Sequence, residues 1–340
     1  MSLLPRAALA ALALSAAFGL TLFLARSLPG DRPAQPQGDT ARATTTAAPD
    51  PTPEPGPKGK APGQVLADPG ATRGPVSPPL VLGKPPATKS DAVLVVDEGG
   101  TPLLAKHSQS IKPIASITKL MTAMVVLDSG ADLEETIEIT PADRDNLRHS
   151  RSRMRINAAR LSRRDMLTIA LMSSENRAAA ALGRTTFPGG TEAFVAAMNR
   201  KAQALGMADT HYADASGLDG ANRSTAEDLV RLLQAANRYP LIREATTRSE
   251  LAVKPYPGGG AVPYRNTNPL VRNAGWQVEL SKTGYVNEAG HCLAMQAQIA
   301  GRRYWIVLLN SVGKLTPVGD SNRLRKWIEA GLKGQSAQRG

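Results

Sequence analysis

Apolar positions divide the chain into three regimes. An unbroken apolar run covers Ala7 to Ala25, preceded by Arg6. Residues 27–89 hold few large apolar side chains and are rich in Pro, Gly, Ala and Thr. From Ser90 onward, short apolar runs alternate with polar ones at the periods of strands and helices. Ala92–Val96 is β-rich, Gly99-Gly100 follows, and Pro102–Ala105 completes a hairpin pattern. Ser116–Asp128 reads as an apolar helix ending near Gly130. Ser162-Arg163-Arg164-Asp165 and Ser224-Thr225-Ala226-Glu227 have the form of helix-start boxes. The second predicts a helix toward Arg238, with Pro240 just past it. Thr191–Leu205 shows a helical period stopped by Gly206. Trp276–Tyr285, Cys292–Ile299 and Tyr304–Leu309 read as three successive strands joined at Gly290 and Gly301, and Asp320–Leu332 as a closing helix.

An early hairpin, a helical middle and late strands predict an α+β fold with one antiparallel sheet flanked by helices. The domain expected to fold spans residues 90–335, leaving a short tail at 336–340. The apolar run lies within residues 1–26 and predicts export, as a cleaved signal peptide or a retained membrane anchor. Arg6 would keep its start in the cytoplasm. Residues 27–89 cannot bury enough apolar surface to offset chain entropy, which predicts a disordered tether.

Composition narrows the function. The net charge of +12 suits anionic wall polymers or membrane surfaces. Nucleic acid is a poor partner for an exported chain with 4% aromatics and no nucleic-acid motif. The single cysteine, Cys292, forbids an intrachain disulfide and is expected to pack as a small hydrophobe. The four histidines lack metal-ligand spacing, so no metal site is expected.

Three motifs carry chemistry: Ser116-Ile117-Thr118-Lys119, Ser174-Glu175-Asn176 and Lys282-Thr283-Gly284. On a helix, the spacing of Ser116 and Lys119 puts both side chains on one face. A helix start also offers unpaired N–H groups that can hold an oxyanion. A serine hydroxyl needs a base, and lysine serves once burial or a nearby cation lowers its pKa. Ser174 can relay a proton and Asn176 can orient the base. Lys282 and Thr283 can hold a carboxylate, and Gly284 allows close backbone approach. A bare Ser-x-x-Lys arises about once by chance in such a chain. A second copy, Ser311-Val312-Gly313-Lys314, follows a strand and lacks a helix start. The ordered trio describes a serine acyl-enzyme site.

The chain resembles the penicillin-binding D-alanyl-D-alanine peptidases, and within them the periplasmic D,D-endopeptidases of the penicillin-binding protein 7 type. The likeness extends to Ala170–Ala179, Gly217-Leu218, Asn266-Thr267-Asn268 and Glu288–Cys292. It implies a β-lactamase/transpeptidase-like fold, no cofactor, peptidoglycan peptide as substrate and β-lactams as inhibitors. It implies Ser116 as nucleophile, Lys119 as base, Ser174 as relay to the leaving amine and Asn176 as orienter. It also implies that Lys282 lowers the Lys119 pKa and that Lys282, Thr283, Gly284 and Tyr285 bind substrate by β-addition. The N–H groups of Ser116 and Tyr285 would form the oxyanion hole. Within this fold a β-lactamase would need a deacylating glutamate, for which Glu192 and Glu227 stand open, and a carboxypeptidase or a wall-binding module are the other readings.

Overall fold

The structure is a computed structural model that describes residues 82–337. The segment at 1–26 expected to direct export, the expected tether up to residue 81 and the last three residues of the tail lie outside the described residues.

The central sheet has five strands: β1 (Ser90–Asp97), β2 (Pro102–Lys106), β3 (Gln277–Val286), β4 (Gly290–Ile299) and β5 (Arg302–Ser311). Its order is β2-β1-β5-β4-β3, each neighbour antiparallel. β4 and β5 are longer than the apolar runs that predicted them, because the ladder continues through Gly290 and His291 and through Arg302, Arg303, Asn310 and Ser311, whereas β3 keeps its predicted length shifted by one residue. Gly290 and Gly301 take φ of +60° and +77° at the two hairpins, which a side chain would strain.

Strand alternation sorts the core into two layers. Val93, Val95, Leu293, Met295, Ile306 and Leu308 face Leu324 and Ile328 of the closing helix α7 (Thr316–Ala337). Leu94, Val96, Ala294, Val307 and Leu309 face the helical layer. That layer holds α1 (Thr118–Asp128), α2 (Arg163–Met172), α3 (Asn176–Thr185), α4 (Gly190–Ala204), α5 (Ala226–Ala236) and α6 (Pro240–Thr247). Helix α1 is apolar nearly all round because it lies at the centre, with Leu120, Met121, Met124 and Val126 fully buried.

Local chemistry sets the helix ends, with four departures from the sequence reading, one being the closing helix, which runs Thr316–Ala337 and not Asp320–Leu332. Ser162 caps α2 by accepting the Asp165 N–H at 3.1 Å, as its box predicts. The cap of α5 is Thr225, not Ser224; its hydroxyl accepts the Asp228 N–H at 3.1 Å, one residue later than the box implied. Pro240 starts α6 instead of only closing off α5, since a first-turn proline loses no hydrogen bond. The segment before α1 is a 3-10 turn, Ala115–Ile117, so Ser116 precedes the α-helix proper.

Residues just before β1 are tied to the domain. Asp320, fully buried, accepts the N–H groups of Lys89 and Ser90 and the Ser90 hydroxyl. Trp327 donates its indole N–H to the Gly83 carbonyl at 2.9 Å.

Candidate active site

A cleft of about 640 Å³ opens between the β3 edge and the helical layer. Its walls include Ser116, Ser174, Asn176, Thr283, Gly284 and Tyr285, drawn from segments over 160 residues apart. Two glycines let these segments meet. A Cβ on Gly217 would lie 2.0 Å from the Ala115 carbonyl oxygen, and one on Gly284 would lie 2.8 Å from that of Ile114. The backbone nitrogen of Ser116 is close to both positions, 2.9 and 3.1 Å away. Ala115 is forced to φ +47° and Ser174 to φ +62°, conformations that non-glycine residues adopt at a cost of about 1–2 kcal/mol. Such strain concentrates where a fold must aim a side chain.

Lys119 lies one turn beyond Ser116 and is 1% exposed. Its Nζ is 2.9 Å from Ser116 Oγ, 2.8 Å from Asn176 Oδ1 and 2.6 Å from the Ser216 carbonyl. Two of these three partners are carbonyl oxygens that can only accept. A neutral amine has two N–H bonds and one lone pair. With both N–H bonds spent on Asn176 and Ser216, the lone pair is left for the Ser116 hydroxyl. Asn176 is oriented by its own amide, which donates to Ser150 Oγ at 2.9 Å. Burial brings the Lys119 pKa down from 10.5 to about 7, against the opposing pull of Asp214 and Glu175.

Lys282 is equally buried and reaches across from β3. It donates to Ser174 Oγ at 3.0 Å and to the Thr283 carbonyl at 2.9 Å. Burial first, then the Lys119 charge, holds its pKa well below 10.5. Burial is the largest cause of the Lys119 depression, and the two amines disfavour each other's charge, the direction that the resemblance implied for Lys282. Thr283 shares a 2.6 Å hydroxyl contact with Thr267. Tyr285 is 54% exposed and stacks on His291, with ring centres 4.3 Å apart.

All eight predicted site residues therefore gather at one cleft, with Ser116 and Lys119 at its base. Sequence reasoning assigned no part to Ser216, Asp214 or Ser150. Asp214 accepts the N–H groups of Ser216 and Asp219 at 2.6 and 2.7 Å, and so presents the Ser216 carbonyl to Lys119. The only signal for this turn was the Gly217-Leu218 pair. Of the other candidates, Glu227 accepts from Ser108 at 3.0 Å and Glu192 is exposed in the first turn of α4. Neither lines the cleft. Ser311 pairs with Ser90 at 2.8 Å inside the sheet, while Lys314 stands at the far end of the cleft.

An antiparallel sheet sandwiched by helices, with a buried lysine on the serine just before the central helix, defines a serine hydrolase of the β-lactamase/transpeptidase fold. The family model described as D-alanyl-D-alanine carboxypeptidase matches residues 81–313, and the chain belongs to that family. It is 46% identical to a D-alanyl-D-alanine endopeptidase of Pseudomonas aeruginosa, over 77% of this chain and 84% of the relative. A D-alanyl-D-alanine endopeptidase of Escherichia coli is 44% identical over 72% of this chain and 79% of its own length. Among solved structures, a Streptomyces DD-transpeptidase superposes with a TM-score of 0.67 at 25% identity, over 73% of this chain and all of that one. A D-alanyl-D-alanine carboxypeptidase of Mycobacterium tuberculosis gives 0.65 at 28% identity, over 73% of this chain and 94% of that one.

Proposed function

We propose that this chain is a D-alanyl-D-alanine endopeptidase that cleaves peptide crosslinks of peptidoglycan through an acyl-enzyme and is blocked by penicillins. The observation that carries the reading is Lys119: a buried amine with a pKa of about 7, both N–H bonds committed to carbonyls, 2.9 Å from a serine hydroxyl. Ser116 attacks the D-alanine carbonyl as its proton passes to Lys119. The N–H groups of Ser116 and Tyr285 hold the oxyanion. The C–N bond then breaks as Ser174, hydrogen-bonded to Lys282, gives its hydroxyl proton to the leaving amine and takes the proton held by Lys119 in exchange. Lys282 and Thr283 hold the carboxylate beside that amine. Water attacks the ester, frees the D-alanine carboxylate and restores the Ser116 hydroxyl. The apolar run at Ala7–Ala25 fits export to the periplasm, as a soluble protein or one held by its N-terminus.

The test is to incubate the 90–340 fragment with penicillin, measure intact mass, map the adduct and then digest purified sacculi. A one-to-one adduct on Ser116, lost in Ser116→Ala, together with loss of crosslinked dimers, is expected. A folded protein that forms no adduct and leaves the drug intact sinks the reading. A second reading, carboxypeptidase, is favoured by the description of the matching family model. It predicts release of terminal D-alanine from free pentapeptides with crosslinks left whole. A β-lactamase would destroy the drug rapidly.

A further inference from the structure

The segment from Arg144 to Arg155 carries five arginines and one aspartate, the densest positive charge in the described chain that lies beside the cleft. Its Ser150 holds Asn176 and its Arg148 lines the cleft, so the segment forms one bank of the site. Burial alternates along it: Met154 is buried and Ser152 and Ile156 are half-buried, while Arg151, Arg153 and Arg155 all face solvent.

Arg153 and Arg155 are held in place. The Tyr256 hydroxyl accepts the Arg155 N–H at 3.1 Å and donates to the Arg153 carbonyl. The Arg155 guanidinium lies 4.3 Å from the centre of the Tyr256 ring, and that of Arg153 lies 5.6 Å from Tyr264. Arg177 donates to the Met154 carbonyl at 2.7 Å, pinning the loop to α3. A fixed cation loses less entropy on binding than a free one. Tyr256 lies in the loop, and Tyr264 in the second strand, of the hairpin formed by Glu250–Val253 and Val262–Arg265, whose exposed cations include Lys254 and Arg265. Arg265 stands two residues before Thr267, the partner of Thr283.

Nearby acids are engaged elsewhere. Glu288 pairs with Arg148 and Glu138 with Arg160. Glu175 is buried and accepts backbone N–H groups of Arg177 and Arg153. Among the described residues, no acid pairs with Arg151, Arg153, Arg155 or Lys254. The Arg265 to Glu250 pair is long, at 3.8 Å, with both partners exposed. This surface keeps its positive charge.

We infer that Arg151, Arg153, Arg155, Lys254 and Arg265 form a docking shelf for a peptide that bears several free carboxylates and runs out of the cleft past Asn176. The inference deepens the peptidase reading and rests on it for the identity of that peptide. A membrane surface is the poorer occupant, because the segment is continuous with the cleft wall through Arg148 and Ser150.

The test uses full-length protein carrying Ser116→Ala, so that binding is read without cleavage. Co-sedimentation with purified sacculi is compared with that of the same chain carrying Arg151→Glu and Lys254→Glu, neither of which has an internal partner. The expected result is about a tenfold weaker association, a weaker dependence on salt, and competition by polyglutamate in the unreversed chain only. Arg151→Lys with Lys254→Arg should restore binding. With Ser116 intact, the reversed pair should acylate with penicillin at the normal rate, which shows the cleft is undisturbed. Unchanged sedimentation overturns the shelf. So does loss of binding to anionic lipid vesicles with sacculus binding kept. A chain that binds sacculi through the shelf yet cleaves no crosslinks would count against the endopeptidase reading alone.

Discussion

With Lys119 as base, acylation must follow a defined pH profile. The fall of the Lys119 pKa from 10.5 to about 7 corresponds to roughly 5 kcal/mol favouring the amine over the ammonium in the fold. Only the amine can take the Ser116 proton. The rate constant for acylation by penicillin should therefore rise tenfold per pH unit below about 6, bend near 7 and level off above 8. Stopped-flow with a fluorescent penicillin, from pH 5 to 9, reads this limb directly. Two variants locate its cause. Glu175→Gln removes a charge that raises the Lys119 pKa, so the bend should move to lower pH. Lys282→Met removes the second amine while filling its space; because burial is the largest cause of the Lys119 depression, most of the shift should remain although the rate falls. A flat profile, or a bend above pH 9, would refute Lys119 as the base. A bend that climbs most of the way to 10.5 in Lys282→Met would show that charge coupling, not burial, sets it. Stability carries the matching sign: the unfolded chain binds the proton more tightly, so this group destabilises the fold below pH 7, and stability rises with pH between about 7 and 10.5.

Lys119→Ala, with no base, should acylate about 100- to 10,000-fold more slowly while still folding, as shown by circular dichroism. Gly217→Ala should lose acylation and melt several degrees lower, because its Cβ would press on the Ala115 carbonyl and its φ of +81° suits glycine alone; a normal melting curve would refute the packing argument. Asp320→Ala leaves the N–H groups of Lys89 and Ser90 and the Ser90 hydroxyl without their acceptor. It should cost about 2–4 kcal/mol in urea unfolding and speed proteolysis before β1. The Asp320 pKa lies below its usual 3.8, so its contribution is present at neutral pH and is lost on acidification below that range.

Much of the site was legible in the chain because its parts are local. Ser116 and Lys119 lie one helical turn apart, and Lys282 to Tyr285 sit on one strand. Each set is positioned by the element that carries it. Secondary structure was legible where the apolar period was long, as in β1, α4 and the three late strands. It failed where a choice hangs on one hydrogen bond: Thr225 outcompeted Ser224 as the α5 cap, and Pro240 opened a helix that polar residues had obscured.

What the sequence by itself determined is the inventory of reactive groups, the α+β order of elements and the apolar faces that must pair. The tertiary structure alone decided how those groups behave. The Ser216 carbonyl that takes one N–H of Lys119 is supplied by a turn nearly 100 residues away, held by Asp214. The lowered pKa of Lys119 arises because three separate segments close around one amine and exclude water from it. No residue type or spacing encodes that desolvation, since it is a property of the space the folded chain encloses.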